Sequence, residues 1–310
     1  MLTIFTAPKP FTGHIGLIQR NAIRSWKRIH PECQVILCGD EPGCRAAADE
    51  LCVEHLPDVE LNEFGTPLLS SVFRRAEERS VHRILCYVNA DLILFSDLLG
   101  AVRSVSDCHQ RFLMVGSAWD LDVSEEIDPD HEGWDLELRD FCVRNGSVRS
   151  AFAIDYFVFP RAALPAMPAF AVGRPGWDNW MIYEARRQRI PVVDVTQRAL
   201  VIHQLHGYQH VPRARGGKWH GPEGDRNYAL AGVPSRLSFT LDDATHRLTS
   251  VGVVRSPTHR GVRGRLRAEA RLARATAPGY RADRLIHSLR SMVGIRTRWR
   301  RLASRRRQRR

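Results

Sequence analysis

No apolar run in this chain approaches the roughly 18 residues that a membrane-crossing helix needs, so no spanning segment is expected. The opening residues, Met1 to Pro10, show no charged leader followed by an apolar stretch, and no secretory signal is read there. Both absences point to a cytoplasmic protein. The seven cysteines are odd in number and without C-x-x-C spacing, which argues against a disulfide framework and for reduced, mostly buried thiols. None sits in a recognisable nucleophile setting. There is no G-x-G-x-x-G after the first apolar run and no G-x-x-x-x-G-K-[ST], so dinucleotide binding and P-loop hydrolysis lack their phosphate cradles. No internal repeat is visible.

Charge is abundant, but it is unevenly placed. From Arg255 to Arg310 there are 19 Arg, no Lys, and only Glu269 and Asp283 as acids, a net of +17. Residues 1–254 therefore carry −5 of the overall +12. At 310 residues and 44% hydrophobic content, the chain reads as one catalytic domain, 1–254, with a nucleotide-binding half (1–110) and an acceptor half (111–254), followed by a basic appendage, 255–310. Within the tail, Leu285, Ile286, Leu289, Met292 and Val293 follow helical spacing among Arg residues. Such an amphipathic helix suits an anionic membrane surface, which would make the protein peripheral on the inner face of the plasma membrane; nucleic acid is a weaker alternative.

Along the domain, short apolar runs alternate with amphipathic stretches. Strands are predicted at 2–6, 35–38, 52–56 and 84–88. Helices are predicted between them: Ile15, Ile18, Ala22, Trp26 and Ile29 on one face, a short helix over 45–51, and Leu68, Leu69, Val72, Phe73 and Ala76 on another. The alternation predicts a mostly parallel sheet flanked by helices, with ligands beyond the carboxyl ends of the strands. After residue 110 the pattern is mixed: apolar runs at 112–116, 154–159, 192–195 and 200–203, an acid-rich stretch over 119–140, and a helix near 179–187.

The fourth predicted strand ends in Cys86-Tyr87-Val88-Asn89-Ala90-Asp91, where two oxygen-bearing side chains interrupt an apolar run. Buried polar groups must be satisfied or used. Taken as extended, the backbone points positions 89 and 91 the same way, offering oxygens suited to Mg²⁺ or Mn²⁺. A turn cap is the plainer alternative.

Asn89-Ala90-Asp91, arriving after four such strands, resembles the D-x-D motif of nucleotide-sugar glycosyltransferases of the GT-A fold, with Asn in place of the first Asp. The resemblance implies a GT-A-like (Rossmann-like) α/β domain and a nucleotide-sugar donor. It also implies a Mn²⁺ or Mg²⁺ ion on Asp91, with Asn89 near ribose or phosphate. By position it places Thr6, Ala7, Pro8 and Asp40 around the nucleotide. Gly173-Arg174-Pro175-Gly176-Trp177-Asp178-Asn179-Trp180 resembles the signature of inverting members, in which a helix-start carboxylate deprotonates the acceptor; Asp178 is then the candidate base. A helix N-terminus would lower the pKa of Asp178. Trp177 and Trp180 offer faces for a sugar. Late histidines supply metal ligands in many relatives, which favours His203, then His206, with His210 nearby; three histidines alone would suggest zinc. Trp119-Asp120-Leu121-Asp122 is a literal D-x-D, ranked second and assigned with Asp155 to the acceptor side.

The reading is thus a metal-dependent glycosyltransferase with an unidentified acceptor. The alternatives are a sugar nucleotidyltransferase, whose Gly-rich triphosphate loop is missing, and a non-catalytic binder of anionic surfaces or nucleic acid.

Overall fold

A computed structural model describes residues 1–207, 221–232 and 234–256. The first half runs β1 (Leu2–Thr6), α1 (Gly13–Ile29), β2 (Gln34–Cys38), α2 (Cys44–Glu50), β3 (Glu54–Leu56), α3 (Leu69–Arg79), β4 (Ile84–Val88), β5 (Leu92–Leu94) and α4 (Asp97–Cys108). The second runs β6 (Leu113–Val115), β7 (Trp119–Leu121), α5 (Trp134–Asn145), β8 (Ser147–Val148), β9 (Tyr156–Pro160), α6 (Trp177–Arg187), β10 (Val192–Asp194), β11 (Val201–Gln204), α7 (Pro222–Ala231), β12 (His246–Thr249) and β13 (Gly252–Arg255).

Nine strands form one mixed, mostly parallel sheet in the order β13-β12-β10-β6-β9-β4-β1-β2-β3, drawing on both sides of residue 110. The central strands β1 and β4 are buried along their whole length, as their unbroken apolar runs require of strands covered on both faces. Ile4 sits in register with Val35 on one side and Cys86 on the other. On one face Leu2 and Ile4 pack with Ala22 and Trp26 of α1; on the other Phe5 packs with Val72 and Ala76 of α3 and with Tyr87 and Phe157. These are the two cores expected of an α/β layer structure.

Two departures position the site. β9 enters the sheet antiparallel to β4, pairing Tyr156 with Val88, so the residue before β9 lies beside the residue after β4. A second, four-stranded sheet, β5-β11-β7-β8, stands over a small core of Ile93, Phe95, Leu121, Cys142 and Ile202. In it His203 is in register with Leu92 and with Asp120, and Asp120 with Ser147. α1 is tied to this sheet by buried polar contacts: Trp26 Nε1 donates to the Leu92 carbonyl at 2.7 Å, and Gln204 Nε2 donates to the carbonyls of Ile18 (2.7 Å) and Asp91 (3.1 Å).

Helices α4 and α5 lie where no helix was expected. α4 carries Leu98, Leu99, Ala101, Val102 and Val105 inward, a helical spacing that the neighbouring strand pattern obscured. α5 falls partly within the acid-rich stretch and has only Cys142 fully buried, too thin an apolar stripe to stand out. All seven cysteines are free thiols, and Cys38, Cys44, Cys86 and Cys142 are buried. Among the described residues no helix is long and apolar enough to cross a membrane. The amphipathic stretch at 283–293, almost all of the Arg-rich tail, and His210 lie outside the described residues.

Candidate active site

The carboxyl ends of β1 and β4 open into a cleft of about 670 Å³. After β4 the chain does not stay extended. Leu92 N–H donates to the Asn89 carbonyl at 3.1 Å, so Asn89–Leu92 is a tight turn leading into β5. The expectation that positions 89 and 91 project alike from an extended strand is therefore corrected, because the turn gives the two side chains different partners. Asn89 Nδ2 donates to Asp155 Oδ1 at 2.9 Å. Asp91 instead meets His206, whose Nε2 is 2.9 Å from Oδ2, and Lys9, whose Nζ is 3.2 Å from the same oxygen. Its other oxygen, Oδ1, is buried without a hydrogen-bond partner.

Burial alone would raise the pKa of Asp91. The Lys9 ammonium, the hydrogen bond from His206 and the charges of both histidines outweigh it and hold the carboxyl far below the usual range. Donor atoms of Asp91, His203 and His206 all lie within 4.8 Å of one another. One carboxylate and two imidazoles, with an orphaned carboxylate oxygen among them, form a donor set that fits a divalent ion. The imidazoles suit Mn²⁺ better than Mg²⁺.

The small sheet supplies the backing. Asp120, in register with His203, accepts at Oδ1 from Arg149 Nη1 (2.7 Å) and lies 2.8 Å from His203 Nδ1, which leaves Nε2 for the cluster. Arg149 Nε is 3.1 Å from Asp155 Oδ2. Burial raises the pKa of Asp155, and the Arg149 charge offsets part of that rise.

The opposite wall is the start of α6. Gly176 precedes the helix at φ +97°, a conformation that favours glycine, and a Cβ there would stand a tight 3.0 Å from the Leu237 side chain. The turn presents Trp177 and Asp178 to the cleft. Burial pushes the Asp178 carboxyl up to about 7, with Asp155 adding to the rise, and the backbone N–H groups of the helix start only partly counter it. The expectation of a lowered pKa is corrected: desolvation exceeds the helix-terminus effect. Arg174, also in this wall, donates from Nε (3.0 Å) and Nη2 (2.5 Å) to Glu223 Oε2 of α7, and Asn62 donates to Glu223 Oε1 at 2.8 Å.

Of the residues singled out in the sequence, Ala7, Pro8, Asn89, Asp91, Asp155, Trp177, Asp178, His203 and His206 line the cleft. Asp120 stands directly behind it, on His203. Others are elsewhere. Thr6 is fully buried in β1, and the Asp40 side chain is 67% exposed, in a shallow surface depression with Pro42 and Arg45. Asp122 is exposed, one residue beyond the end of β7. Trp119 packs on the small core, and Trp180 packs on Phe170 at 5.4 Å between ring centres. Missed were Lys9, Arg149, Arg174 and Phe152. A lysine between Pro8 and Pro10 at the end of the first strand was a usable signal; Arg149 and Phe152 had none.

The chain is similar to nucleotide-sugar transferases. No protein-family model and no curated protein matches it. Among solved structures, glucosyl-3-phosphoglycerate synthase of Mycobacterium tuberculosis in complex with Mg²⁺ and UDP is 12% identical over 77% of this chain and 79% of that one, at a TM-score of 0.44. The same synthase with Mn²⁺, UDP and phosphoglyceric acid gives 12%, 77%, 78% and 0.44. TarS of S. aureus is 11% identical over 66% of this chain and 36% of its own length, at 0.41. Likeness at these scores carries no argument of its own; function has to be read from the side chains.

Proposed function

We propose that this protein is a glycosyltransferase that moves a sugar from a nucleoside-diphosphate donor to an acceptor hydroxyl, with Mn²⁺ or Mg²⁺ held by Asp91, His203 and His206. The observation that carries the reading is the buried Asp91–His203–His206 cluster, with Asp91 Oδ1 unpartnered, in the wall of a cleft large enough for a nucleotide-sugar. When bound, the ion would neutralise charge on the leaving diphosphate.

The chain's own residues supply the rest. Ala7, Pro8 and Asn89 border the donor side. Asp178, across the cleft, accepts the proton of the acceptor hydroxyl; a carboxyl near pH 7 is half ionised at neutrality and basic enough to do so. The acceptor oxygen then bonds to the anomeric carbon as the bond to the diphosphate breaks, and that single displacement inverts the centre. Trp177 presents an apolar ring beside the base, and Phe152, 55% exposed, offers another at the same cleft. Asp120 holds His203 rather than the acceptor in this reading.

The test is thermal unfolding of the full chain with UDP, GDP and their sugar conjugates, with and without Mn²⁺, for the wild type and Asp91→Asn. A ligand at a hundred times its Kd stabilises by about 2.7 kcal/mol. The expected result is a rise in Tm that needs both nucleotide and metal and is lost in the variant. No rise with any nucleotide would refute the proposal.

A further inference from the structure

Lys9 stands where a divalent ion would have to work. Its Nζ is 3.2 Å from Asp91 Oδ2 and 3.2 Å from His206 Nε2, two atoms of the candidate ligand set. An ammonium in that position already supplies the positive charge that Asp91 requires, and it would repel a dication bound to the same groups. Among the described residues, the cleft's other Arg and Lys side chains are differently placed. Arg149 is engaged by Asp120 and Asp155, and Arg174 by Glu223, all partners that a metal on the cluster would leave untouched. Lys9 alone among these three has partners that an ion would take over.

The lysine is also built to move at its tip and not at its root. Gln19, itself buried, accepts from the Lys9 backbone N–H at 2.7 Å and donates to the Lys9 carbonyl at 2.9 Å, and prolines flank the residue on both sides. The side chain, 31% exposed, carries a point charge on a flexible four-carbon stem that borders the cleft.

We propose that Lys9 is the resident counter-cation of Asp91, that it is exchanged for the divalent ion when donor loads, and that its released ammonium then binds the donor's diphosphate. The inference rests on the metal-dependent reading above. It assigns Lys9 two opposite effects: it weakens metal binding to the empty site and strengthens nucleotide binding to the metal-loaded one. A purely structural lysine would have neither.

Titration calorimetry on the full chain separates the cases, using MnCl₂ alone and then UDP, with GDP in parallel, at saturating Mn²⁺. In Lys9→Met, Mn²⁺ is expected to bind about tenfold more tightly than in the wild type, and the nucleoside diphosphate about tenfold more weakly. Lys9→Arg, which keeps the charge, is expected to stay near wild type in the first titration, and matched unfolding curves establish that each variant is folded. Mn²⁺ affinity unchanged or reduced in Lys9→Met overturns the counter-cation role. Tighter Mn²⁺ with unaltered nucleotide affinity overturns the transfer to diphosphate. Mn²⁺ binding to neither protein overturns the inference together with the metal-dependent reading, a pattern distinct from the other two.

Discussion

Asp178→Asn should make this protein more stable, and only at neutral and alkaline pH. In the folded chain the Asp178 carboxyl is raised from an ordinary 3.8 to about 7, chiefly by burial and further by Asp155 across the cleft. Between about pH 4 and 7 the folded state keeps a proton that the unfolded state has lost, so stability falls as pH rises through that window and the loss is complete above it. At 1.36 kcal/mol per pKa unit the displacement corresponds to a ceiling of about 4 kcal/mol. Water reaching the cleft side of this half-buried carboxyl cuts that to roughly 2 kcal/mol. Asparagine is nearly isosteric, does not titrate, and keeps an oxygen for the N–H groups at the start of α6. The expected outcome is a gain over wild type of about 2 kcal/mol at pH 8, or roughly 4–8 °C in Tm, that shrinks to nothing near pH 4. Urea and thermal unfolding of both proteins by circular dichroism from pH 4 to 8.5 measures it; Asp155 is present in both, so only its coupling to Asp178 enters the difference. A gain independent of pH, or a loss at pH 8, would refute the claim that burial holds this carboxyl high. A gain would also mean that the chain retains a costly ionised group, as sites that need a base near neutrality do.

Gln204→Leu should cost about 1–3 kcal/mol in urea unfolding, because it removes three buried side-chain hydrogen bonds, to the carbonyls of Ile18 and Asp91 and from the Asn21 amide, while the Asp91 carbonyl keeps the Gln204 N–H and the Asn21 amide keeps the Glu125 carbonyl. Tyr156→Phe should be neutral or stabilising by up to about 1 kcal/mol, since the Tyr156 hydroxyl is buried without a partner. Gly116→Ala should destabilise by about 3 kcal/mol or more, because its Cβ would collide with that same hydroxyl, and the double variant with Tyr156→Phe should recover a large part of the loss; equal losses with and without the hydroxyl would refute the assigned clash.

Much of the first half was legible because its elements are local. The runs at 2–6, 35–38 and 84–88 are apolar throughout, as covered parallel strands must be, and α1 and α3 repeat their apolar residues at helical spacing. The polar interruption at 89–91 was visible for the same reason: it departs from what its own neighbours dictate. The second half hid more. α5 exposes most of its length, and the strands of the small sheet are two to four residues long, too short for a period to establish itself.

By sequence alone, then, the chain set its alternating α/β layers, its unbroken central strands and the polar interruption at 89–91. Three things were decided only by tertiary structure. The antiparallel entry of β9 set Asp155 against Asn89. The register of His203 with Asp120 turned a second D-x-D into a support for a histidine. Charge attraction put Lys9 on Asp91, and burial, with Asp155 adding to it, raised Asp178 to about 7 when its place at a helix start argued for the reverse. The physical reason is common to all three: strand periodicity and helix propensity act between near neighbours in the chain, whereas desolvation and Coulomb interaction act between groups that only the fold brings together.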